Sequence, residues 1–318
     1  MTQQDTPRES LRVPALDRRV TVTPSMCGPN PHLYARIGDW TWETVAESCG
    51  IDVLTATNPA GDPAYLSFYY CRLRGSALMH PQSLRFGDRL AVTSASFGFG
   101  SQSVNTLHRI VRPAEGSEDV GGPHELDLVE FYDRPRTDTL YVENVNNWIS
   151  RSNPDTNEHL VRASPQGFHH AQLHRLPPRY SPRSACARAR DAATFFPHGV
   201  IGHRRLAGVS LTQYEIDLTR DLNGVGLVYF ASFYPLVQKG ILQQWRATGR
   251  TSAGFLARRE TDIRLGYFGN VDAHHTLDVR TRLWRSVKCP GAETAEVAIR
   301  EQHSGRLLVV AAVQYLTS

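Results

Sequence analysis

The sequence predicts an α+β protein in which an antiparallel sheet curls around a central apolar helix, and it predicts that arrangement twice. Three observations carry this. Two stretches with helical spacing of apolar residues, near 39–49 and 227–245, each follow an Asn-containing turn. Each stretch is followed by β-branched and aromatic runs joined by connections too short for βαβ crossovers. The order strand, turn, helix, strands then recurs in the second half, where Asn223, Leu227 and Tyr229 echo Asn30, Leu33 and Tyr34.

Taken in order, MTQQDTPRESLRVPALD is polar and irregular, and residues 1–17 are expected to be disordered. RRVTVTPS alternates as a strand does. After the turn-forming MCGPNP, apolar residues at Trp42, Val45, Ala46 and Cys49 predict a short helix from Asp39, stopped by Gly50. PAYLSFYYCRLRG, LRFGDRLAVTSASFGFG, SQSVNTLHRIVRP, HELDLVEFYDRP and TDTLYVENVNNWISR read as strands. Prolines, histidines and arginines concentrate between Asn153 and Arg205, which predicts a connection with one short helix near Ser184–Ala193. The strand GVSLTQYEIDLT, the turn DLNGVG and the apolar helix LVYFASFYPLVQKGILQQW follow. Strands are expected again at AGFLARRETDIRLGYFG, AHHTLDVRTRLWRSV, TAEVAIREQ and GRLLVVAAVQYL.

The expected division is therefore a disordered 1–17, an N-terminal unit at 18–152, a connecting segment at 153–205 and a C-terminal unit at 206–318. A helix apolar on most faces needs a sheet wrapped around it, and two such sheets laid edge to edge make one continuous sheet. That is the double hot dog arrangement. Folds of this kind usually hold pantetheine thioesters where the two halves meet, beside the helix N-termini.

Composition narrows the function classes. Hydrophobic content is 41% and charged content 21%, with no tract of about 18 apolar residues and no apolar block behind N-terminal basic residues. A soluble chain without a membrane span or export signal is expected. The five cysteines, Cys27, Cys49, Cys71, Cys186 and Cys289, are scattered and show no C-x-x-C pair, which fits a reducing cytoplasm. Net charge is +4, and lysine occurs only at Lys239 and Lys288, so nearly all cationic side chains are arginine. Arginine suits phosphate or carboxylate contacts, hence an acidic ligand or protein, although codon bias produces the same composition. Without a basic block interleaved with aromatics, nucleic acid is not an expected partner.

The sequence lacks G-x-S-x-G, H-E-x-x-H, G-x-x-x-x-G-K-[ST] and a strand-to-helix G-x-G-x-x-G. FGFGSQS at 97–103 joins two predicted strands and reads as a hairpin turn. His170 and His174 have the spacing of two ligands on a helix, but they lie between prolines with no carboxylate at a ligand position and read as surface histidines. His274 and His275 are adjacent in a predicted strand and would point to opposite faces. No metal or organic cofactor is called for.

The helix-leading turns supply Asn30 and Asn223. An amide and the exposed N–H groups of a helix start stabilise an oxyanion but take no proton at neutral pH. Asp39 and Asp221, the nearest carboxylates, read as helix or turn caps. Decarboxylation of a malonyl-type thioester meets that description, because loss of CO₂ leaves an enolate that needs hydrogen bonds in a dry pocket.

PSMCGPN, RIGDWTWETV, PAYLSFYYCRLRG, RFGDRLAVTSASFGFGSQSVNTLHRI, YVENVNNWISRS and DLNGVGLVYFASFYP together resemble the bifunctional acyltransferase/decarboxylases of polyketide biosynthesis, of the leinamycin-pathway type. The resemblance runs from about residue 18 to the C-terminus and is strongest in the N-terminal half. It implies a double hot dog that takes methylmalonyl from methylmalonyl-CoA through an ester on a tyrosine, decarboxylates it and delivers propionyl to an acyl carrier protein. The family's nucleophile falls in PAYLSFYY and is carried to Tyr65. By period two, Tyr69 shares its face and Tyr70 takes the other, so the choice among the three phenols stays open. A phenol of pKa about 10 needs activation to attack, and Ser67 is the nearest candidate in sequence. The resemblance also implies that Gly28 and Asn30 of MCGPN, and Asn223 and Gly224 of DLNGVG, lie beside the pantetheine arm and thioester oxygen.

Two other readings compete. A hot-dog thioesterase or dehydratase requires a carboxylate or imidazole at the pocket, and His108 or Glu143 there would favour it. A non-catalytic acyl-binding module would use the tyrosines only as lining. Pocket depth is expected to depend on Phe68, Trp148 and Phe230, and a monomer and a homodimer are both open.

Overall fold

The computed structural model describes residues 11–28, 32–113, 124–196 and 202–317. In chain order the elements of the N-terminal half are β1 (Arg12–Pro14), β2 (Leu16–Thr21), α1 (His32–Cys49), β3 (Tyr65–Arg74), β4 (Arg89–Gly100), β5 (Ser103–Val111), β6 (Glu125–Asp127), α2 (Leu128–Tyr132) and β7 (Thr139–Arg151). The connection carries β8 (Leu160–Arg162), α3 (Arg183–Ala192) and β9 (His203–Arg205). Then follow β10 (Ser210–Glu215), α4 (Phe233–Ala247), α5 (Ser252–Ala257), β11 (Arg259–Tyr267), β12 (Thr276–Ser286), β13 (Ala292–Glu301) and β14 (Leu307–Leu316).

One 12-stranded sheet runs β10-β12-β13-β14-β11-β3-β7-β5-β4-β2, with β8 beside β7 and β9 beside β12. The path is the same read from either end: β2-β4-β5-β7-β3 corresponds to β10-β12-β13-β14-β11, and the halves join at the antiparallel β3–β11 seam. Even the irregularities correspond. β3 slips register against β7 between Phe68 and Tyr70, and β11 slips against β14 between Glu260 and Asp262.

The seam places Arg72 directly opposite Arg264, an arrangement that like charges alone would disfavour. Asp262 resolves it, accepting from Arg72 at 2.5 and 3.1 Å and from Arg264 at 2.9 and 3.1 Å. Burial would raise the Asp262 carboxyl, but Arg72 and then Arg264 hold it down to about 2. The two halves are thus tied by a charged clamp as well as by backbone.

Both long helices lie against the inner face. α1 buries Leu33, Ile37, Trp40, Thr44 and Val45, and α4 buries Leu236, Val237, Ile241 and Trp245, within one core cluster that spans both halves for most of these residues. Gly38 of α1 is required by close approach: a Cβ there would lie 2.6 Å from the Phe230 ring. Gly50, with φ of +62°, ends α1 as expected.

Several expectations are corrected. α1 begins at His32 and not Asp39, because Leu33, Tyr34 and Ile37 extend the buried stripe about two turns upstream. α4 begins only at Phe233, since Pro235 has no N–H and is tolerated in a first turn but not further in. HELDLVEFYDRP is not one strand: Asp127 accepts from Val129 N at 2.8 Å and Glu130 N at 3.2 Å and starts α2. AGFLARRETDIRLGYFG is split in the same way, with Thr251 Oγ1 accepting from Gly254 N at 3.1 Å to cap α5. Within 1–17, β1 pairs with β6, and β2 starts at Leu16. Asp39 lies inside α1 and pairs with Arg36 at 2.9 Å, so it caps nothing. His274 and His275 sit in the turn before β12 with ring centroids 4.5 Å apart, not on opposite faces of a strand. Among the described residues no helix is long and apolar enough to cross a membrane, and no group of three or more His, Cys, Asp or Glu is placed to hold a metal ion.

Candidate active site

Seam pairing runs only from Tyr70–Gly266 to Arg74–Asp262. Beyond Tyr70 the strands are unpaired, and a cleft of about 420 Å³ opens between Tyr65–Tyr69 of β3 and Tyr267–Asn270. The turn before α4 closes one side through Asn223, Val225 and Phe230, and Trp42 of α1 contributes the other. Phe68 and Phe230 stack 3.9 Å apart and form an aromatic wall. Trp42 Nε1 donates to Leu66 O at 3.0 Å, fixing the indole against β3.

Tyr65 is half-buried in this cleft, and its hydroxyl oxygen accepts from Arg151 Nη1 at 3.3 Å. The Arg151 guanidinium carbon also lies 5.7 Å from the Tyr65 ring centroid. Arg151 is itself held. Its Nε and Nη2 donate to Asn157 Oδ1 at 3.1 and 2.9 Å, and Nη2 donates to Val225 O at 2.6 Å. Asn157 Nδ2 in turn donates to Gly226 O at 2.7 Å, and Asn270 bonds both the N–H and the carbonyl of Val228, at 3.1 and 3.0 Å. The turn that precedes α4 is therefore lashed to the N-terminal half by the same guanidinium that touches the phenol.

The other two phenols are placed differently. The bulge at Tyr69 breaks strict alternation, so Tyr70 does not simply take the opposite face. Tyr70 is buried with Val145, Cys186 and Phe195 beneath α3, and Tyr69 packs against the same cluster. Burial raises both phenols above their ordinary range, Tyr70 strongly, which keeps them neutral. Tyr69 lines the cleft, 5.7 Å from Phe268 by ring centroid. Ser67 lines it too, but the partner of the Tyr65 hydroxyl is Arg151.

Neither candidate base reaches the cleft. His108 is fully buried behind α1, with Nδ1 2.8 Å from Ser94 Oγ and Nε2 2.9 Å from Thr41 Oγ1. Arg18 donates to Ser94 Oγ, and Thr41 donates to Ile37 O, so one consistent relay leaves Nδ1 accepting and Nε2–H donating. Desolvation, with a smaller push from Arg18, drives His108 down to about 3. Glu143 is buried elsewhere, accepting from Tyr132 Oη at 2.6 Å, and its carboxyl is raised chiefly by burial. Among the described residues the cleft lining contains no Asp, Glu or His.

Of the residues singled out from sequence, Tyr65 and Asn223 line the cleft, with Phe68 and Phe230. Asn223 is chiefly a turn former: its Oδ1 accepts from Val225 N at 3.2 Å and Leu227 N at 3.0 Å. Gly224 and Gly28 are exposed and do not line the cleft, and Asn30 lies outside the described residues. Trp148 packs in a separate cluster with Val45 and Leu66. Asp221 organises the turn, accepting from Tyr214 Oη at 2.6 Å and Asp217 N at 2.9 Å. Arg151, Asn157 and Asn270 were not singled out. The one signal for Arg151 was its position at the end of a strand that pairs with β3.

No curated protein matches the sequence. Three solved structures are among those that resemble the chain along nearly its whole length. They are a Lactobacillus plantarum protein described as an oleoyl thioesterase (TM-score 0.59, 10% identity, 97% of each chain covered), an acyl-ACP thioesterase from Bacteroides thetaiotaomicron (TM-score 0.54, 8% identity, 95% of this chain and 97% of that one) and the 12:0-ACP thioesterase from Umbellularia californica (TM-score 0.54, 9% identity, 96% and 94%). At such identities the likeness is one of fold, and the fold is the double hot dog. Residues 17–197, which carry Tyr65 and Arg151, match the family described as the LnmK N-terminal Hot Dog Fold domain, and the chain belongs to that family.

Proposed function

We propose that this protein is a bifunctional acyltransferase/decarboxylase that loads propionyl from methylmalonyl-CoA onto an acyl carrier protein in polyketide biosynthesis. The observation that carries the reading is a cleft whose nucleophile is a phenol bonded to a guanidinium, with no carboxylate or imidazole in the lining among the described residues. A hydrolase that activates water needs such a base. A transferase whose nucleophile is in the protein needs instead a donor aimed at the oxygen that becomes charged, and Arg151 supplies one.

In the proposed sequence, Tyr65 Oη attacks the thioester carbonyl and the carbon–sulfur bond breaks. CoA departs as the thiol with the phenol's proton. The methylmalonyl aryl ester then loses CO₂: the bond to the carboxylate breaks, its electron pair enters the enolate, and a proton from solvent completes the propionyl ester. Arg151 favours negative charge on the phenol and carbonyl oxygens, and the Phe68–Phe230 wall keeps the reacting carbon dry. The carrier thiol attacks the ester and the phenol leaves with the thiol's proton. The net change is methylmalonyl-CoA, carrier thiol and a proton to propionyl-carrier, CoA and CO₂.

Product analysis tests this. Purified protein mixed with methylmalonyl-CoA and holo carrier protein is expected to give propionyl-carrier and CO₂ in equal amounts. Free methylmalonate with CoA and no carrier loading would mark a thioesterase. Binding of the thioester without turnover would mark an acyl-binding module.

A further inference from the structure

We propose that Arg162 and Arg190 form an anion subsite at the outer mouth of the cleft that takes the 4′-phosphate of a pantetheine arm, whether the arm belongs to CoA or to the carrier protein. The inference rests on the pantetheine-thioester reading above. Among the described residues, these two are the only charged side chains in the cleft lining. Arg162 ends β8 and Arg190 lies in the last turn of α3, so the two guanidinium groups come from separate parts of the connecting segment. Both are exposed, and they attend the same phenol: the Arg162 guanidinium carbon is 6.0 Å from the Tyr69 ring centroid, and both charges act on Tyr69.

Among the described residues neither arginine has a buried ion-pair partner. Arg190 pairs with its sequence neighbour Asp191 at 3.2 Å, with the two side chains 54% and 68% exposed, a contact that a competing anion displaces readily. Among the described residues no ion pair within 4.0 Å forms at Arg162. A cleft that is aromatic and amide-lined along its length and doubly cationic at one end fits a ligand with an uncharged body and a terminal anion.

Placement decides which anion. The Tyr65 hydroxyl turns to Arg151, whereas the Arg162 guanidinium attends Tyr69, four residues further along β3. The carboxylate of a methylmalonyl group is two bonds from the carbon that Tyr65 attacks and stays on the Arg151 side, whereas the 4′-phosphate is at the far end of the arm. CoA and a phosphopantetheinyl carrier present the same 4′-phosphate on the same arm, so one subsite serves the donor and the acceptor.

The test compares CoA, 4′-phosphopantetheine and pantetheine by calorimetry on the wild-type protein and on Arg162→Ala/Arg190→Ala, with KM values for methylmalonyl-CoA and holo carrier. The wild type is expected to prefer the two phosphorylated ligands over pantetheine by at least about tenfold, and the double variant to reduce that preference to near one. Both KM values should rise about tenfold, and Arg162→Lys/Arg190→Lys should keep most of the preference. Equal weakening of pantetheine and CoA, or a rise in KM confined to CoA, overturns the subsite. Failure of the wild type to bind any of the three overturns the pantetheine reading itself, a separate result.

Discussion

The two ends of the β3–β11 seam are assembled from corresponding parts of the two halves, yet one is open and the other is filled. At the open end, β3 faces the turn before α4 across the cleft that holds Tyr65. At the filled end the chain entering β11 carries Arg258 and Glu260, 2.9 Å apart with side chains 4% and 0% exposed. Glu260 also accepts from Tyr234 Oη, from Gln238 Nε2 at 2.9 Å and from Gln82 Nε2 at 2.8 Å, and Tyr34 of α1 stacks on Tyr234 with centroids 4.1 Å apart. The bulges set the correspondence: Glu260 precedes the slip in β11 as Phe68 precedes the slip in β3. Where one end places a phenyl ring against a cleft, the other places a carboxylate in a closed polar cluster. Duplication of the fold supplies two places for a site, and side chains decide which remains open.

Breaking the filled end should have the largest effect. Glu260→Ala leaves the Arg258 guanidinium buried without its carboxylate and is expected to destabilise the protein by about 3–5 kcal/mol. Urea unfolding measures it, and a loss below about 1 kcal/mol would show that the cluster is not what closes that end. At the open end, Arg151→Ala removes the donor to Tyr65 and the lash on Val225 together, and should lower kcat/KM for carrier loading by about 10²–10³. Unchanged loading would detach Arg151 from the chemistry.

His108 separates structural polar groups from catalytic ones by pH. Its folded pKa of about 3 lies below the ordinary value of about 6.5, so between the two the unfolded chain holds the proton and the folded one does not. Stability should therefore fall as pH drops through that window, by up to about 1.4 kcal/mol per pH unit from this group. His108→Gln is expected to flatten the acid limb of unfolding free energy by that slope. An identical slope in the variant would mean that other groups carry it. The smallest effect is expected for Tyr69→Phe: no hydrogen bond of the Tyr69 hydroxyl occurs among the described residues, so loading should change less than about threefold.

What could be read from the sequence follows from range. The inner helices and their strands were visible because Ile241 and Trp245, or the run LLVVAAV of β14, declare their period within a few residues. α2 and α5 were missed because single caps, Asp127 and Thr251, interrupt runs that otherwise look like strands. The face of Tyr70 was misjudged because a bulge leaves no local mark in the composition of YLSFYY. Tyr65 was reached by resemblance, whereas its partner Arg151, 86 residues away, is brought to it only by the register of β3 on β7. The filled end was illegible for the same reason, since Gln82, Tyr234 and Glu260 meet across 178 residues.

The most direct test of the account is intact-protein mass spectrometry of wild type and Tyr65→Phe after mixing with methylmalonyl-CoA, with and without holo carrier protein. The wild type is expected to carry an acyl adduct without carrier and to pass propionyl to the carrier when it is present, and Tyr65→Phe to do neither. Propionyl loading at the wild-type rate by Tyr65→Phe would contradict the phenol's role as nucleophile.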